Sequence, residues 1–397
     1  MRVFTGISEL RTPFKRFENA ALAVQEGRVA WVGREDALPE PYRSRSKYDL
    51  GGRGVVPGLV DSHTHLVWAG DRLEEYAQRA RGASYAEILA AGGGIHATTR
   101  ATRAANEDEL LALARKRARS FLKTGVTTLE VKSGYGLEPE HELKMLRVVR
   151  RLTEAEPQRF APTLLAHVVP SGWNRDSYVE MWVRELIPEV ARTGLANALD
   201  VFVDREAFTL AEAERLWQAA LEHGLDIKAH AEQLTHTGAA RLVAELGGLS
   251  ADHLERATPP DWAALAKHGT VGTLLPGAAL LLRQPFPGAR AMWDAGVTVA
   301  VASDHNPGSS PFYNLWLALQ LAVALGRLTL EEALQAGTAH AARALARPQL
   351  GRLEPGSAAD FVVVDSPHAL EPLYRWGETP VHAVYVAGKP ALAESPP

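Results

Sequence analysis

The sequence predicts an α/β protein, namely a (β/α)₈ TIM-type barrel with a small β-sandwich domain that is built from both termini. From residue 56 onward, eight short apolar runs alternate with amphipathic helical patterns, and eight βα units in a row are typical of this barrel. No glycine-rich phosphate-binding loop follows the first run, which argues against an open doubly wound sheet. The short β-like runs near both termini are too small to bury separate cores, so we expect them to pair.

The eight barrel strands are predicted at residues 54–66, 125–131, 163–168, 198–203, 226–231, 249–254, 270–275 and 297–303. Helical patterns lie between them at 109–123, 142–156, 178–193, 210–223, 238–246 and 261–268, and two more follow at 315–325 and 331–345. Residues 21–24 and 28–33 flank a turn and predict a hairpin. The predicted domains are therefore residues 1–55 and 346–397 for the two parts of the sandwich, and 56–345 for the barrel.

The composition is that of a soluble globular protein, with 46% hydrophobic and 23% charged residues. The net charge is −4 and there is no basic block, so neither nucleic acid nor an anionic membrane is an expected partner. There is no cysteine, which excludes disulfides, thiolate metal ligands and a cysteine nucleophile. Without a long apolar run or an N-terminal signal pattern, we expect a cytoplasmic protein.

Five of the fourteen histidines lie at the ends of predicted strands, which a random scatter would rarely produce. His63 and His65 are two residues apart in an extended segment, so their side chains point to the same side. His167, His230 and His253 lie at the ends of the third, fifth and sixth predicted strands. Because catalytic groups of such barrels lie at the carboxyl ends of the strands, the sequence predicts one site at that end.

A metal shell of His63, His65, His230 and Asp304 is chemically sensible, since imidazole and carboxylate ligands suit zinc or iron. Such an ion can activate water as a nucleophile near neutral pH. His253 would then be free to act as a base or a proton shuttle, and Asp304 could also carry a proton. A single metal is the simpler interpretation, because no bridging lysine or histidine ends the fourth strand. The alternative is that the histidines are ordinary polar residues at strand and loop ends.

Other candidate residues also have structural interpretations. Asp304 could form a turn before the Asn-Pro-Gly segment that follows it, because all of these residue types favour turns. His167 and His253 could be buried histidines that bond to the backbone. Tyr135 could simply cover the barrel mouth, and Arg72 could belong to a surface ion pair.

Two motifs resemble the amidohydrolase superfamily: Pro-Gly-Leu-Val-Asp-Ser-His-Thr-His at 57–65 and Gly-Ser-Ala-Ala-Asp-Phe-Val-Val at 356–363. Within it, the sequence resembles the imidazolonepropionase family, most specifically in Lys-Ser-Gly-Tyr-Gly at 132–136 and Asn-Pro-Gly at 306–308. Further similar stretches lie at 65–72, 92–95, 251–255, 274–278 and 309–311. The resemblance thus runs from the first to the eighth predicted strand.

This resemblance implies hydrolysis of 4-imidazolone-5-propanoate to N-formimidoyl-L-glutamate in histidine degradation, by a homodimer with one Zn²⁺ or Fe³⁺ per subunit. It implies the same four metal ligands as above, with His253 and Asp304 as catalytic residues. It also implies a set of substrate-binding residues: Arg72, Tyr135, His167, Asn306, Gly308 and Ser309. Gln233 would flank the attacked carbonyl together with His253. Because some relatives have Glu where this chain has Gln233, and an amide cannot act as a base, its role would be limited to hydrogen bonding.

Two other functions stay open at this point. Another mononuclear amidohydrolase, such as an aminoimidazole or pyrimidine deaminase, would release ammonia and would not need Arg72 and Tyr135 as a carboxylate clamp. A non-catalytic barrel that serves as an interaction module would be expected to have lost metal ligands, whereas this chain keeps all four.

Overall fold

The computed structural model describes residues 1–83, 87 and 92–393, and these residues form fifteen strands in two sheets. The strands are β1 Arg2–Arg11, β2 Arg16–Gln25, β3 Arg28–Arg34, β4 Lys47–Pro57, β5 Leu59–Asp61, β6 Val126–Lys132, β7 Arg159–Ala166, β8 Ala198–Phe202, β9 Asp226–Ala231, β10 Ser250–His253, β11 Val271–Leu274, β12 Val299–Val301, β13 Phe361–Val364, β14 Val381–Val386 and β15 Lys389–Ala393.

Strands β5 to β12 form an eight-stranded parallel sheet in which each strand pairs with its neighbours in the sequence. The segments after its first and last strands join, because the amide of His65 donates to the carbonyl of His305 at 2.9 Å and that of Asp304 to His63 at 3.0 Å. The predicted (β/α)₈ barrel is therefore confirmed. Its closure brings together two segments that were predicted to bind a metal.

The remaining strands form one mixed sheet in the order β15-β14-β13-β4-β1-β2-β3, so both termini contribute to it as predicted. The Phe4 ring on β1 lies 5.1 Å from the Tyr385 ring on β14. Two strands, β13 and β4, lie between β14 and β1 in the sheet, so β1 and β14 would be about 14 Å apart if the sheet were flat. The sheet therefore folds back over its own core. The chain passes from this sheet to the barrel at Gly58, between β4 and β5. The predicted domain limits stay a prediction, and residues 394–397 lie outside the described part.

Helices cover the outside of the barrel and also occupy several of the loops. The described helices are Glu35–Ala37, Glu40–Arg43, Leu73–Ala80, Ile95–Ala104, Glu107–Lys123, Pro139–Ala155, Arg175–Met181, Trp182–Leu186, Ile187–Thr193, Leu210–Glu222, Ala239–Glu245, Pro259–His268, Pro276–Leu281, Ala289–Asp294, Leu315–Ala324, Leu330–Ala336, Ala339–Arg343 and Glu371–Leu373. In the part of the chain that the structure describes, no helix is both long and apolar enough to span a bilayer.

Two predicted helices are interrupted. The segment 178–193 contains a π-helical turn at Trp182–Leu186, just before Pro188, which lacks the amide hydrogen that would continue the α-helical pattern. The segment 331–345 breaks at residues 337 and 338. A Cβ at Gly337 would lie 2.8 Å from a methyl group of Leu319, so the helices pack too closely there for a larger residue. Four helices in the loops were not predicted: Leu73–Ala80, Ile95–Ala104, Pro276–Leu281 and Ala289–Asp294.

The core of the terminal sheet depends on a cluster of aromatic rings. Phe361 is fully buried, and its ring stacks on that of Tyr385 with centroids 4.5 Å apart. The Phe4 ring meets Phe361 edge-on at 5.0 Å. This cluster joins strands from the two ends of the chain.

We therefore expect Phe361→Ala to destabilise the protein by about 3–5 kcal/mol, because it removes a buried ring and leaves a cavity. The urea midpoint of unfolding, followed by fluorescence, would measure this change. Tyr374→Ala is the control, since Tyr374 is 79% exposed, and it should change the free energy of unfolding by less than about 0.5 kcal/mol. Equal midpoints for the two variants would contradict this account of the core.

Candidate active site

A cavity of about 330 Å³ opens at the carboxyl end of the barrel strands. It is lined by eleven of the twelve predicted site residues: Arg72, Tyr135, His167, Gln233, His253, Asp304, Asn306, Gly308, Ser309, His65 and His230. His63, the remaining predicted residue, is fully buried and does not line the cavity. The structure therefore brings together residues from six barrel strands and the loops that follow them.

The potential metal ligands at the cavity form two compact groups that share His63. Potential ligand atoms of His63, His65 and Asp304 all lie within 4.8 Å of one another. The Oδ1 atom of Asp304 is 3.4 Å from Nε2 of each of these histidines. A second group of the same compactness consists of His63, His230 and His253, so His253 lies close enough to compete as a ligand.

The electrostatics of the three histidines suits a metal. Burial lowers the pKa of His65 to about 3 and that of His230 to about 4, and it lowers the pKa of His63 well below its usual value. These imidazoles are therefore neutral at physiological pH, which is the form that binds metals. The Nε2 atom of His63 is buried without a hydrogen-bond partner among the described residues. Buried polar atoms are normally paired, so this atom fits a metal ligand.

His253 differs from the other histidines. Burial opposes its positive charge, but the nearby carboxylates of Glu255 and Asp304 outweigh burial and raise the pKa of His253. Its Nδ1 atom lies 3.5 Å from Oε1 of Glu255, whose side chain is almost completely buried. A histidine that holds a proton near neutral pH is suited to proton transfer rather than to metal binding. Glu255 was not among the predicted site residues.

Beneath the histidines, the barrel interior contains five buried ionisable groups where apolar residues are usual: Glu130, Lys132, Asp200, Lys228 and Asp252. Two of the carboxylates contact predicted metal ligands. The Oδ2 atom of Asp252 lies 2.6 Å from Nδ1 of His63, and Oδ2 of Asp200 lies 3.0 Å from Nδ1 of His230. A third compact group of potential ligands consists of His63, Glu130 and Asp252. Its two carboxylates are paired with the ammonium groups of Lys132 and Lys228.

Arg72 lies at the cavity with its side chain only 9% exposed. Its Nε atom donates to Glu75, so this edge of the guanidinium is already used. A carboxylate ligand would therefore have to meet the terminal nitrogens. A Cβ at Gly308 would lie 3.2 Å from Nη1 of Arg72, so glycine leaves room beside the guanidinium. Arg79, which the sequence analysis missed, also lines the cavity and donates to the carbonyl of Gly308 at 2.8 Å.

Tyr135 and His167 lie side by side, with ring centroids 5.5 Å apart. Nδ1 of His167 is 3.0 Å from the carbonyl oxygen of Gly134, to which it can donate. The loop that carries Tyr135 is held by Glu142, whose carboxylate accepts from the amides of Gly134 at 2.7 Å and Leu137 at 2.6 Å. Glu142 was not among the predicted site residues, although it fixes the position of one of them.

The loop after β12 is organised by Asn306. Its Oδ1 accepts from the amides of Gly308 and Ser309 at 2.8 and 2.7 Å, and its Nδ2 donates to the carbonyl of Asp304 at 2.7 Å. Asn306 therefore forms the turn that the sequence analysis considered for Asp304. Its side chain contributes to the shape of the loop as well as to the cavity wall.

The loop after β9 carries Gln233, which is buried and lines the cavity. Asp204, at the end of the neighbouring strand, accepts hydrogen bonds from the amides of Leu234 at 2.9 Å and Thr235 at 3.3 Å. This carboxylate ties the two loops together. Phe202, another missed residue, forms an apolar wall 5.6 Å from His230, measured between ring centroids.

Several non-glycine residues at the site have left-handed backbone conformations. The φ angles are 53° at Asp304, 84° at His253, 69° at Leu254 and 56° at Glu232. Such conformations cost energy and often occur at functional sites, where the surrounding structure enforces them. Asp304 and His253 are thus held in positions that relaxed strands would not give them.

Comparisons with known proteins identify the family of this chain. The model of the "Amidohydrolase family" matches residues 55–391. An imidazolonepropionase of Deinococcus radiodurans is 48% identical over 97% of this chain and 98% of its own length, and that of Cupriavidus pinatubonensis is 46% identical over 95% and 90%.

Among solved structures, an adenosine deaminase from Xanthomonas campestris with bound zinc has a TM-score of 0.73 at 20% identity, covering 98% of this chain and 92% of that one. Atrazine chlorohydrolase from Arthrobacter aurescens complexed with zinc has a TM-score of 0.74 at 18% identity, covering 99% and 95%.

The extent of the family match shows that the chain belongs to the amidohydrolase family. The likeness to the two solved structures shows the fold alone. The near full-length identity to the curated relatives is more specific, and within the amidohydrolase family the chain belongs with the imidazolonepropionases.

Proposed function

We propose that the chain hydrolyses 4-imidazolone-5-propanoate to N-formimidoyl-L-glutamate in histidine degradation. The observation that carries this proposal is one cavity that joins neutral histidines and a carboxylate to an arginine. The names of the relatives at 46–48% identity support the same reaction. In it, water adds to the ring carbonyl, the bond from that carbon to the ring nitrogen breaks, and the nitrogen gains a proton.

His63, His65, His230 and Asp304 would hold one zinc or iron ion per subunit. When bound, the ion supplies Lewis-acid chemistry that polarises the ring carbonyl and makes water nucleophilic near neutral pH. The buried, unpartnered Nε2 atom of His63 supports this ligand set. The resemblance to the family further supports a cytoplasmic homodimer as the working form.

The remaining roles follow from the positions of the side chains around the cavity. Arg72 would bind the propanoate carboxylate through its terminal nitrogens, because Glu75 occupies its Nε edge. His253 would carry the proton to the leaving ring nitrogen, and Asp304 is the alternative carrier. Gln233 would donate a hydrogen bond beside the attacked carbonyl.

The other proposed substrate-binding residues line the cavity and would surround the ring of the substrate. Tyr135 and His167 would bind one side of it, and the loop of Asn306, Gly308 and Ser309 the other. Since Asn306 already uses its amide within the loop, its contribution would be largely to hold Gly308 and Ser309 in place.

The direct test is incubation of the purified protein with 4-imidazolone-5-propanoate. We expect N-formimidoyl-L-glutamate as the product, no free ammonia, and about one metal ion per chain by elemental analysis. Removal of the metal by a chelator should abolish turnover, and added zinc or iron should restore it. Ammonia release from an aminoimidazole or pyrimidine would instead favour the deaminase alternative. A metal-loaded protein that opens no imidazolone ring would refute the proposal.

Arg72→Ala should lower kcat/KM by about 10–100-fold, mainly through KM, because one charge-assisted contact to the substrate is lost. Steady-state kinetics would measure this, and the metal content should not change. Arg81→Ala is the matched control, since the Arg81 side chain is 66% exposed and pairs with Glu74. An imidazolone without the propanoate group should be converted equally by Arg72→Ala and the unmodified protein. An equal loss with that analogue would contradict the carboxylate contact.

His253→Ala should lower kcat by about 100-fold or more while the metal stays bound, because a positioned proton carrier is removed. Kinetics combined with elemental analysis would separate the two effects. His268→Ala, which changes an exposed histidine outside the cavity, should behave as the unmodified protein. Loss of the metal from His253→Ala would show that His253 is a ligand, as its distance from His63 and His230 allows.

A further inference from the structure

We propose that Asp200 and Asp252, held by Lys132 and Lys228, are positioning residues that orient two of the metal-binding histidines. Each carboxylate would accept the Nδ1 hydrogen of one histidine, so that its Nε2 atom carries the lone pair for the metal. This inference rests on the proposed metal-dependent function. It assigns a role to the charged interior of the barrel, which the reaction itself does not use.

The clearest contact is between Asp252 and His63. The Oδ2 atom of Asp252 lies 2.6 Å from Nδ1 of His63, and both side chains are fully buried. An ionised carboxylate can only accept, so Nδ1 carries the hydrogen when Asp252 is ionised. The other nitrogen, Nε2, is then an unprotonated donor atom, and it lies 3.4 Å from Oδ1 of Asp304. Carboxylates that accept from metal-binding histidines fix the tautomer and the ring orientation in this manner.

Asp200 makes the corresponding contact with His230. Its Oδ2 atom lies 3.0 Å from Nδ1 of His230, on the neighbouring strand of the barrel. The same oxygen also lies 2.6 Å from Nζ of Lys132. One carboxylate oxygen therefore accepts a hydrogen bond from the lysine and also lies beside the histidine. In this geometry Nδ1 of His230 makes no hydrogen bond to the described residues, so its bond to Asp200 is part of the proposal.

The lysines connect the two carboxylates. Lys132 lies 2.7 Å from Glu130 and 3.8 Å from Asp252, and Lys228 lies 2.6 Å from Glu130 and 3.7 Å from Asp252. Glu130 thus bridges the two ammonium groups, and its Oε1 also accepts from Thr163 at 2.7 Å. Every member of the network is in contact with an opposite charge.

A purely structural role would not require these residue types. Burying ionised side chains is costly, and replacing a buried ion pair by apolar residues of similar volume is often neutral or stabilising. The interiors of such barrels are usually filled by branched apolar side chains. In this network, the carboxylates of Asp252 and Asp200 lie next to histidines of the proposed metal site. This placement favours a role in positioning the ligands.

The test uses Asp252→Asn and Asp200→Asn in the full chain, with zinc and cobalt as probes. Each variant should bind zinc about 10–100-fold more weakly in a chelator competition. The absorption bands of the cobalt-loaded variants should shift, because the ligand geometry changes, and kcat should fall with little change in KM. A merely structural role would lower the melting temperature of the metal-free protein but would leave the zinc affinity and the cobalt spectrum unchanged.

Asp261→Asn is the matched control, since Asp261 is also fully buried and its Oδ2 lies 2.8 Å from Nε2 of His236, outside the cavity. It should destabilise the protein without affecting zinc affinity. If the unmodified chain binds no metal, the proposed function fails together with this inference. If the unmodified chain binds metal and both Asp variants bind it equally well, only the positioning role is wrong.

A measurement on the unmodified protein tests the inference even if the Asn variants do not fold. A crystal structure of the zinc-loaded protein should show Nε2 of His63 and His230 on the metal, with Nδ1 of each on its aspartate. Ligation through Nδ1 of either histidine would overturn the inference, whatever the behaviour of the variants.

Discussion

The pairing of charges inside the barrel is the constraint on which the site depends. Lys132 and Lys228 are buried without access to solvent, and such groups persist only when carboxylates compensate them. Three carboxylates surround them, and two of these reach upward to His63 and His230. The carboxylates that balance the lysines therefore also contact two of the predicted metal ligands. The charge balance of the barrel interior and the positions of the histidines consequently depend on the same carboxylates.

Closure of the barrel adds the second requirement, which is that residues about 240 positions apart must meet. The backbone bonds from Asp304 to His63 and from His65 to His305 place the last strand beside the first. The carboxylate of Asp304 then lies 3.4 Å from two imidazoles. The loops around the cavity are fixed separately, because Glu142, Asp204 and Asn306 each accept hydrogen bonds from backbone amides. Such side chains hold the cavity walls in place before a substrate arrives, which reduces the entropy lost on binding.

The sequence allowed the barrel, the pairing of the termini and the cluster of histidines to be predicted, because each produces a local pattern. His63 and His65 are found from the two-residue repeat of a strand, and the same repeat relates Lys228 to His230. Lys228 was nonetheless missed, since a lysine inside a barrel is unusual and only its partners on other strands explain it. Glu75 and Glu142 were missed because they act on Arg72 and on the Tyr135 loop through contacts that sequence spacing does not reveal. The break at residue 337 likewise depends on the packing of a neighbouring helix.

The charge balance also bears on what the site would hold. Glu130, Asp200, Asp252 and Asp304 carry four formal negative charges, and Lys132 and Lys228 carry two positive ones. His253 and Glu255 form a separate pair of opposite charge, whereas the three remaining histidines are neutral because burial lowers each pKa. Burial raises the pKa values of Asp252 and Asp304, and for Asp252 the neighbouring carboxylates of Asp200 and Glu130 add to this effect. A divalent cation among the histidines would remove the excess of negative charge, so the same balance that orients the ligands also favours the ion.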